Sequence, residues 1–242
     1  MEDVQKTNWT TFLALCTYTY AGIAVCDALV CRGIIHSSNS RKIIHICAGS
    51  FILFWRWFDG THPSYLLNVG VSAICLLLFM LHPILPVFQR KQILRTMTRT
   101  HSFRELLLGP TFFVLVMVVV GTCFFRTQLG ILIMCALGWG DGVAPFVGVK
   151  FGGAISRALG GTTAPDRWCI NGQKSLEGSI AFFLASFLAA CFFSTWLSIP
   201  IAPMLALKVS LIAAISEAIS PSDADNIVIP LVVAGSFHLL QV

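Results

Sequence analysis

The chemically capable residues crowd into the stretch from Gly138 to Gly178, which holds 10 of the chain's 19 glycines. Its core, GWGDGVAPFVGVKFGG (138–153), sets Asp141 between Gly140 and Gly142 and follows with Pro145. Gly and Pro at this density predict a broken or loosened helix with bare backbone N–H groups around one carboxylate. Such N–H groups suit phosphate oxygens, and at membrane depth irregular backbone is tolerated only where it lines a water- or ligand-filled site. Small-residue helix packing explains Gly148 and Gly152 but not an acid between two glycines. Asp141 is therefore expected to serve a site rather than the fold.

Three further segments carry matching chemistry. NGQKSLEGS (171–179) opens a span with Lys174, Ser175 and Glu177 at a helix N-terminus, where the dipole favours an anion. Lys174 would offer phosphate a point charge, Ser175 a hydroxyl, and Glu177 a carboxylate for Mg²⁺ or proton transfer. Ser175 also reads as a plain helix cap. SRKIIHICAG (40–49) puts Arg41 and His45 four apart on one helix face, with Lys42 reading as a basic membrane anchor. SEAISPSDADN (216–226) gathers Glu217, Asp223, Asp225 and Asn226 around Pro221, and Asp225 is a candidate metal or phosphate-relay carboxylate.

The elements that position these residues follow from composition. Of 242 residues, 56% are apolar and only 11% charged, and mean hydropathy is +0.81. A soluble domain carries roughly twice that charge, so the solvent for most of the chain is lipid. That excludes a cytosolic enzyme, a nucleic-acid-binding domain and a disordered tail. A span needs about 20 apolar residues, and eight runs qualify: 9–31, 43–58, 65–88, 106–125, 128–148, 178–197, 201–219 and 226–241. Seven or nine remain possible. The expectation is one all-α domain over residues 1–242, a polytopic membrane helix bundle, since the runs are long and lack period-two alternation. Alternating eight spans puts twelve cations on one side and three (Lys6, Arg56, Arg126) on the other. The positive-inside rule makes the first side cytoplasmic. Asp27, Glu105, Asp141, Glu177, Glu217, Asp223 and Asp225 all fall near that side, which predicts a polar chamber there. Seven of the nine cysteines lie inside apolar runs without zinc or redox spacing, so they read as small hydrophobes.

Taken together, RKIIH (41–45), ELLLGP (105–110), GWGDGVAPFVG (138–148), NGQKSLEGS (171–179) and EAISPSDADNIVIP (217–230) resemble the membrane-embedded polyprenol kinases. That family includes phytol, farnesol and dolichol kinases and the CTP-dependent diacylglycerol kinase, and the phytol and farnesol branch looks closest. The resemblance implies phosphoryl transfer from CTP, or UTP, to an isoprenoid lipid alcohol at the cytoplasmic or stromal face, in the endoplasmic reticulum membrane or a plastid envelope. It implies Mg²⁺ on Asp141 with Glu177 or Asp225, and triphosphate held by Arg41, His45, Asn171, Lys174, Ser175 and the Gly140 to Gly142 backbone. The family often has Gly-Arg after the GDG helix; here Gly148-Val149-Lys150 makes Lys150 the candidate replacement. Kinship with phosphatidate cytidylyltransferases keeps that activity as an alternative. An anion transporter is the rival from another class, although no internal repeat supports it.

Overall fold

The computed structural model describes residues 1–81, 103–154, 174–221 and 224–241, with 103–108 described as backbone alone. The chain forms an all-α, membrane-type bundle with no strand among the described residues. In order come α1 (Glu2–Cys31), α2 (Ser37–Gly49) with a 3₁₀ extension Ser50–Arg56, and a 3₁₀ segment Pro63–Val69 leading into α3 (Gly70–Leu81). Then follow α4 (Phe103–Cys123), α5 (Gln128–Met134), a π segment Cys135–Gly140, and α6 (Asp141–Phe151). The last three are α7 (Leu176–Leu197), α8 (Pro203–Ile219) and α9 (Asp225–Leu240). Each of the eight apolar runs thus maps onto one helical unit. By length and composition, four of these units can cross a membrane: Glu2–Cys31, Pro63–Leu81, Gln128–Phe151 and Leu176–Leu197. Apolar side chains such as Val25, Leu188, Leu211 and Leu231 face outward, as helices that are hydrophobic all round do in lipid. The described cysteines are free.

The α5–π–α6 unit is the axis of the bundle. In its most apolar window 72% of residues are buried, against 11% in α1 at the periphery. Glycine makes that burial possible. A methyl on Gly49 of α2 would sit 2.5 Å from the Gly138 Cα, and one on Gly142 would sit 2.5 Å from the Ile46 side chain. Gly140 lies face to face with the Phe182 ring of α7. Backbones therefore approach directly, as small residues allow in membranes. Gly138→Leu is expected to drive α2 off the axis and abolish the folded species in detergent size-exclusion, since overpacking costs about 1–3 kcal/mol even where neighbours can yield. Gly235→Leu on the open face of α9, with nothing within 4 Å, should elute as wild type.

The end away from the clustered charges is held by aromatics. Trp57 packs edge-on against Trp196 at 5.7 Å, and Arg56 lies over the Trp196 ring and bonds its carbonyl. Trp196 also donates to the Leu53 carbonyl at 3.0 Å. Tryptophans with one polar edge favour a membrane interface.

Candidate active site

At the other end, four helices and the segment preceding α7 bring their polar side chains together, with α4 supplying a ring and a carbonyl. The start of α2 supplies Arg41, Lys42 and His45, all buried. Asp141 stands at the first position of α6, buried to 2% exposure. Lys42 Nζ meets its Oδ2 at 2.6 Å, and His45 Nε2 lies 3.7 Å from the same oxygen. Two charges so deep remain only because each neutralises the other. His45 is fixed from both sides: its ring stacks on Phe113 of α4 at 4.0 Å and 22°, and Nε2 lies 3.4 Å from Asn226 Oδ1. Asn226 in turn donates Nδ2 to the Gly109 carbonyl at 3.0 Å. The Arg41 guanidinium lies against Gly109 closely enough that a methyl there would approach it to 3.3 Å.

A second pair borders the first. Lys174 Nζ reaches Glu217 Oε1 at 2.7 Å and the Glu217 carbonyl at 2.5 Å, tying the segment before α7 to the end of α8. Asp225 opens α9, buried to 6% exposure. Its Oδ1 accepts the Asn226 N–H at 2.9 Å, and no cation lies within ion-pairing distance of it among the described residues. It feels the charges of Asp141, Lys42, Lys174 and Arg41, so the two pairs, Asp225 and Arg41 act as one electrostatic unit of three cations and three carboxylates. Two prolines add acceptors. Pro145 and Pro230 follow Asp141 and Asn226 by four residues and offer no N–H to their backbone carbonyls.

Several sequence expectations are corrected here. The GDG segment does not break. A π segment runs directly into α6, with i→i+5 bonding absorbing the irregularity. Gly140 and Gly142 serve close helix packing rather than phosphate approach, because neighbouring side chains already fill the space beside them. Asp141 serves the fold as well as any site, since it neutralises Lys42. Ser175 is the cap of α7, accepting the Gly178 N–H at 3.2 Å, and its hydroxyl packs on Gly148. Lys150 is exposed beside the Phe151 ring. Nine residues of regular helix set it about 13 Å from Asp141 and half a turn round. Glu177 is buried in the first turn of α7. Asn171 and Asp223 lie outside the described residues, and Glu105 is described as backbone alone.

For Lys42, Glu217 and Asn226, which the sequence places near the site without a partner, the structure supplies the partners. A faint signal existed for Lys42, because its spacing of three from His45 puts both on one helical face. No three metal-ligating side chains converge among the described residues. What the site does offer is two hard oxygen donors, Asp141 and Asp225, within electrostatic reach of each other. That fits Mg²⁺, which is commonly held by one or two carboxylates with substrate phosphates supplying the rest.

Comparison with known proteins shows the family. The chain is 33% identical over 230 residues to a probable phytol kinase 2, chloroplastic, of Oryza sativa subsp. japonica, covering 87% of this chain and 70% of that protein. It is 30% identical over 170 residues to phytol kinase 1, chloroplastic, of Arabidopsis thaliana, covering 69% and 52%. Against the farnesol kinase, chloroplastic, of the same plant it is 31% identical over 166 residues, covering 66% and 48%. No family model and no solved structure matches. A membrane-type bundle whose sequence is this similar, over most of its length, to proteins named phytol kinase and farnesol kinase belongs to the phytol and farnesol kinase family of lipid alcohol kinases.

Proposed function

We propose that this chain transfers the γ-phosphoryl group of CTP, or of UTP, to the hydroxyl of an isoprenoid alcohol such as phytol or farnesol, at the cytoplasmic or stromal end of the bundle. The observation that carries the reading is the buried unit built on the Lys42–Asp141 pair. Phosphoryl transfer asks a protein for positioning and charge neutralisation rather than covalent work. Arg41, Lys42 and Lys174 take phosphate oxygens, with His45 beside them. The two lysines are held ready by Asp141 and Glu217, from which each can turn to a ligand. Asp141 would hold Mg²⁺ with Asp225 or Glu177 as second carboxylate; when bound, the ion neutralises charge on the transferring phosphate. Asp225 is also a candidate to take the hydroxyl proton, because, unlike Asp141 and Glu217, its carboxylate makes no direct ion pair with a lysine among the described residues.

Charge balance favours the kinase over cytidylyl transfer. A phosphate nucleophile must approach the triphosphate against its own charge, and among the described residues this unit holds no cation in excess of its carboxylates. An uncharged hydroxyl meets no such barrier. The names of the relatives support a plastid membrane as the location, and none supports the endoplasmic reticulum. With γ-labelled CTP and purified protein, the label is expected on phytol or farnesol, with CDP released. Incorporation of α-label with release of pyrophosphate would overturn the kinase reading, and equal rates with ATP would overturn the choice of donor.

A further inference from the structure

An apolar groove lies between α1, α2, α3 and α4, and no step of the chemistry above uses it. Its wall contains two hydroxyls, and both are already committed. Ser72 Oγ donates to Met117 Sδ at 3.9 Å, and Thr19 Oγ1 donates to the Leu15 carbonyl at 2.8 Å. The remaining lining is apolar except at one end, where Arg41 and His45 close it. On α4 the lining runs from Pro110 beside that end to Met117 at the other, seven residues or about 10 Å of helix. His45 is the joint between the two regions. Its ring faces the groove on Phe113, while its Nε2 faces Asn226 and Asp141.

We propose that this groove is the acceptor site, holding the first isoprene units of the lipid alcohol and delivering the hydroxyl at His45 beside the Lys42–Asp141 pair. The identity of the occupant rests on the kinase reading; the placement rests on the groove's continuity with the charged unit. A single uncharged chain with a terminal hydroxyl suits walls that offer no free polar group for the ester carbonyls of a diacyl lipid. At about 10 Å the groove takes only the proximal part of a long chain and leaves the remainder to the bilayer.

Gly22 makes this testable. A methyl built there meets only Cys47 Sγ, at 3.8 Å, so Gly22→Leu and Gly22→Trp start from open space on the groove wall and are expected to fill it in graded steps. Gly235→Trp on α9 adds the same indole to an open surface. The full chain in lipid nanodiscs would be irradiated with a farnesol analogue carrying a diazirine on its second isoprene unit. Adducts are expected on groove residues such as Ile23, Cys75 and Met117. They should fall at least tenfold with excess unlabelled phytol, fall stepwise in Gly22→Leu and Gly22→Trp, and persist in Gly235→Trp. Groove adducts that phytol does not displace would mean that bulk lipid fills the groove, and would overturn the proposal. Adducts on other surfaces, undiminished in Gly22→Leu, would overturn it too. Wild-type turnover in the same nanodiscs separates the two readings. Phosphorylation with adducts elsewhere removes the groove and keeps the kinase, whereas phytol-sensitive groove adducts without phosphorylation by any nucleotide keep the groove and remove the kinase.

Discussion

Asp141→Asn is expected to give a folded protein whose turnover with phytol is lower by about 10² or more, the scale of losing one electrostatic stabiliser of a transferring group. Asparagine keeps the shape and leaves an oxygen acceptor where Lys42 Nζ now sits 2.6 Å away. A buried ammonium that loses its counter-charge can shed its proton, so the fold weakens without collapsing. Initial rates and thermal unfolding measured on one detergent preparation separate the two effects. Turnover equal to wild type would remove the centre of the proposed site.

Lys42→Met should be the most destabilising single change in the charged unit, by about 3–5 kcal/mol, because it strands the Asp141 carboxylate at 2% exposure. Adding Asp141→Leu should restore most of the lost stability, since apolar replacement of a whole buried pair is often neutral or better. It should restore no turnover. A lysine acting only as a surface anchor would behave differently: Lys42→Met would then cost less than about 1 kcal/mol and leave the rate unchanged. Thermal denaturation of the two single variants and the double variant decides between these outcomes.

The contrast between Arg41 and Lys42 shows what sequence can carry. Hydropathy reports depth, so eight helical units and the end that holds the acids were legible from the apolar runs and the loop charges. Hydropathy does not report rotation. Whether Lys42 turned outward to headgroups or inward to Asp141 depended on which side of α2 met the axis, and that depended on Gly49 lying against Gly138. Glycine is ambiguous for a related reason: it permits close approach without saying what approaches. At Gly140 and Gly142 the visitor is Phe182 and Ile46, not a ligand. Lys150 was misjudged by phase, because an unbroken α6 carries it to the far side of Asp141, whereas a broken one need not. The branch of lipid kinases was readable because five short motifs occur in one order, a signal independent of how any of them packs.

The π segment at Cys135–Gly140 has a consequence for descent. A wide turn holds one residue more than a regular helix between the same ends would need. Deleting one codon there would let the segment close to a plain α-helix between the same ends, so that α5 and α6 keep their relative rotation. A deletion within α5, where no wide turn absorbs it, would instead rotate Asp141 by about 100° from the side that faces Lys42, though no catalytic side chain had changed. Between α5 and α6 the wide turn is therefore the place where descent can add or remove a residue and keep the Lys42–Asp141 pair, a tolerance of length that amino-acid replacement never tests.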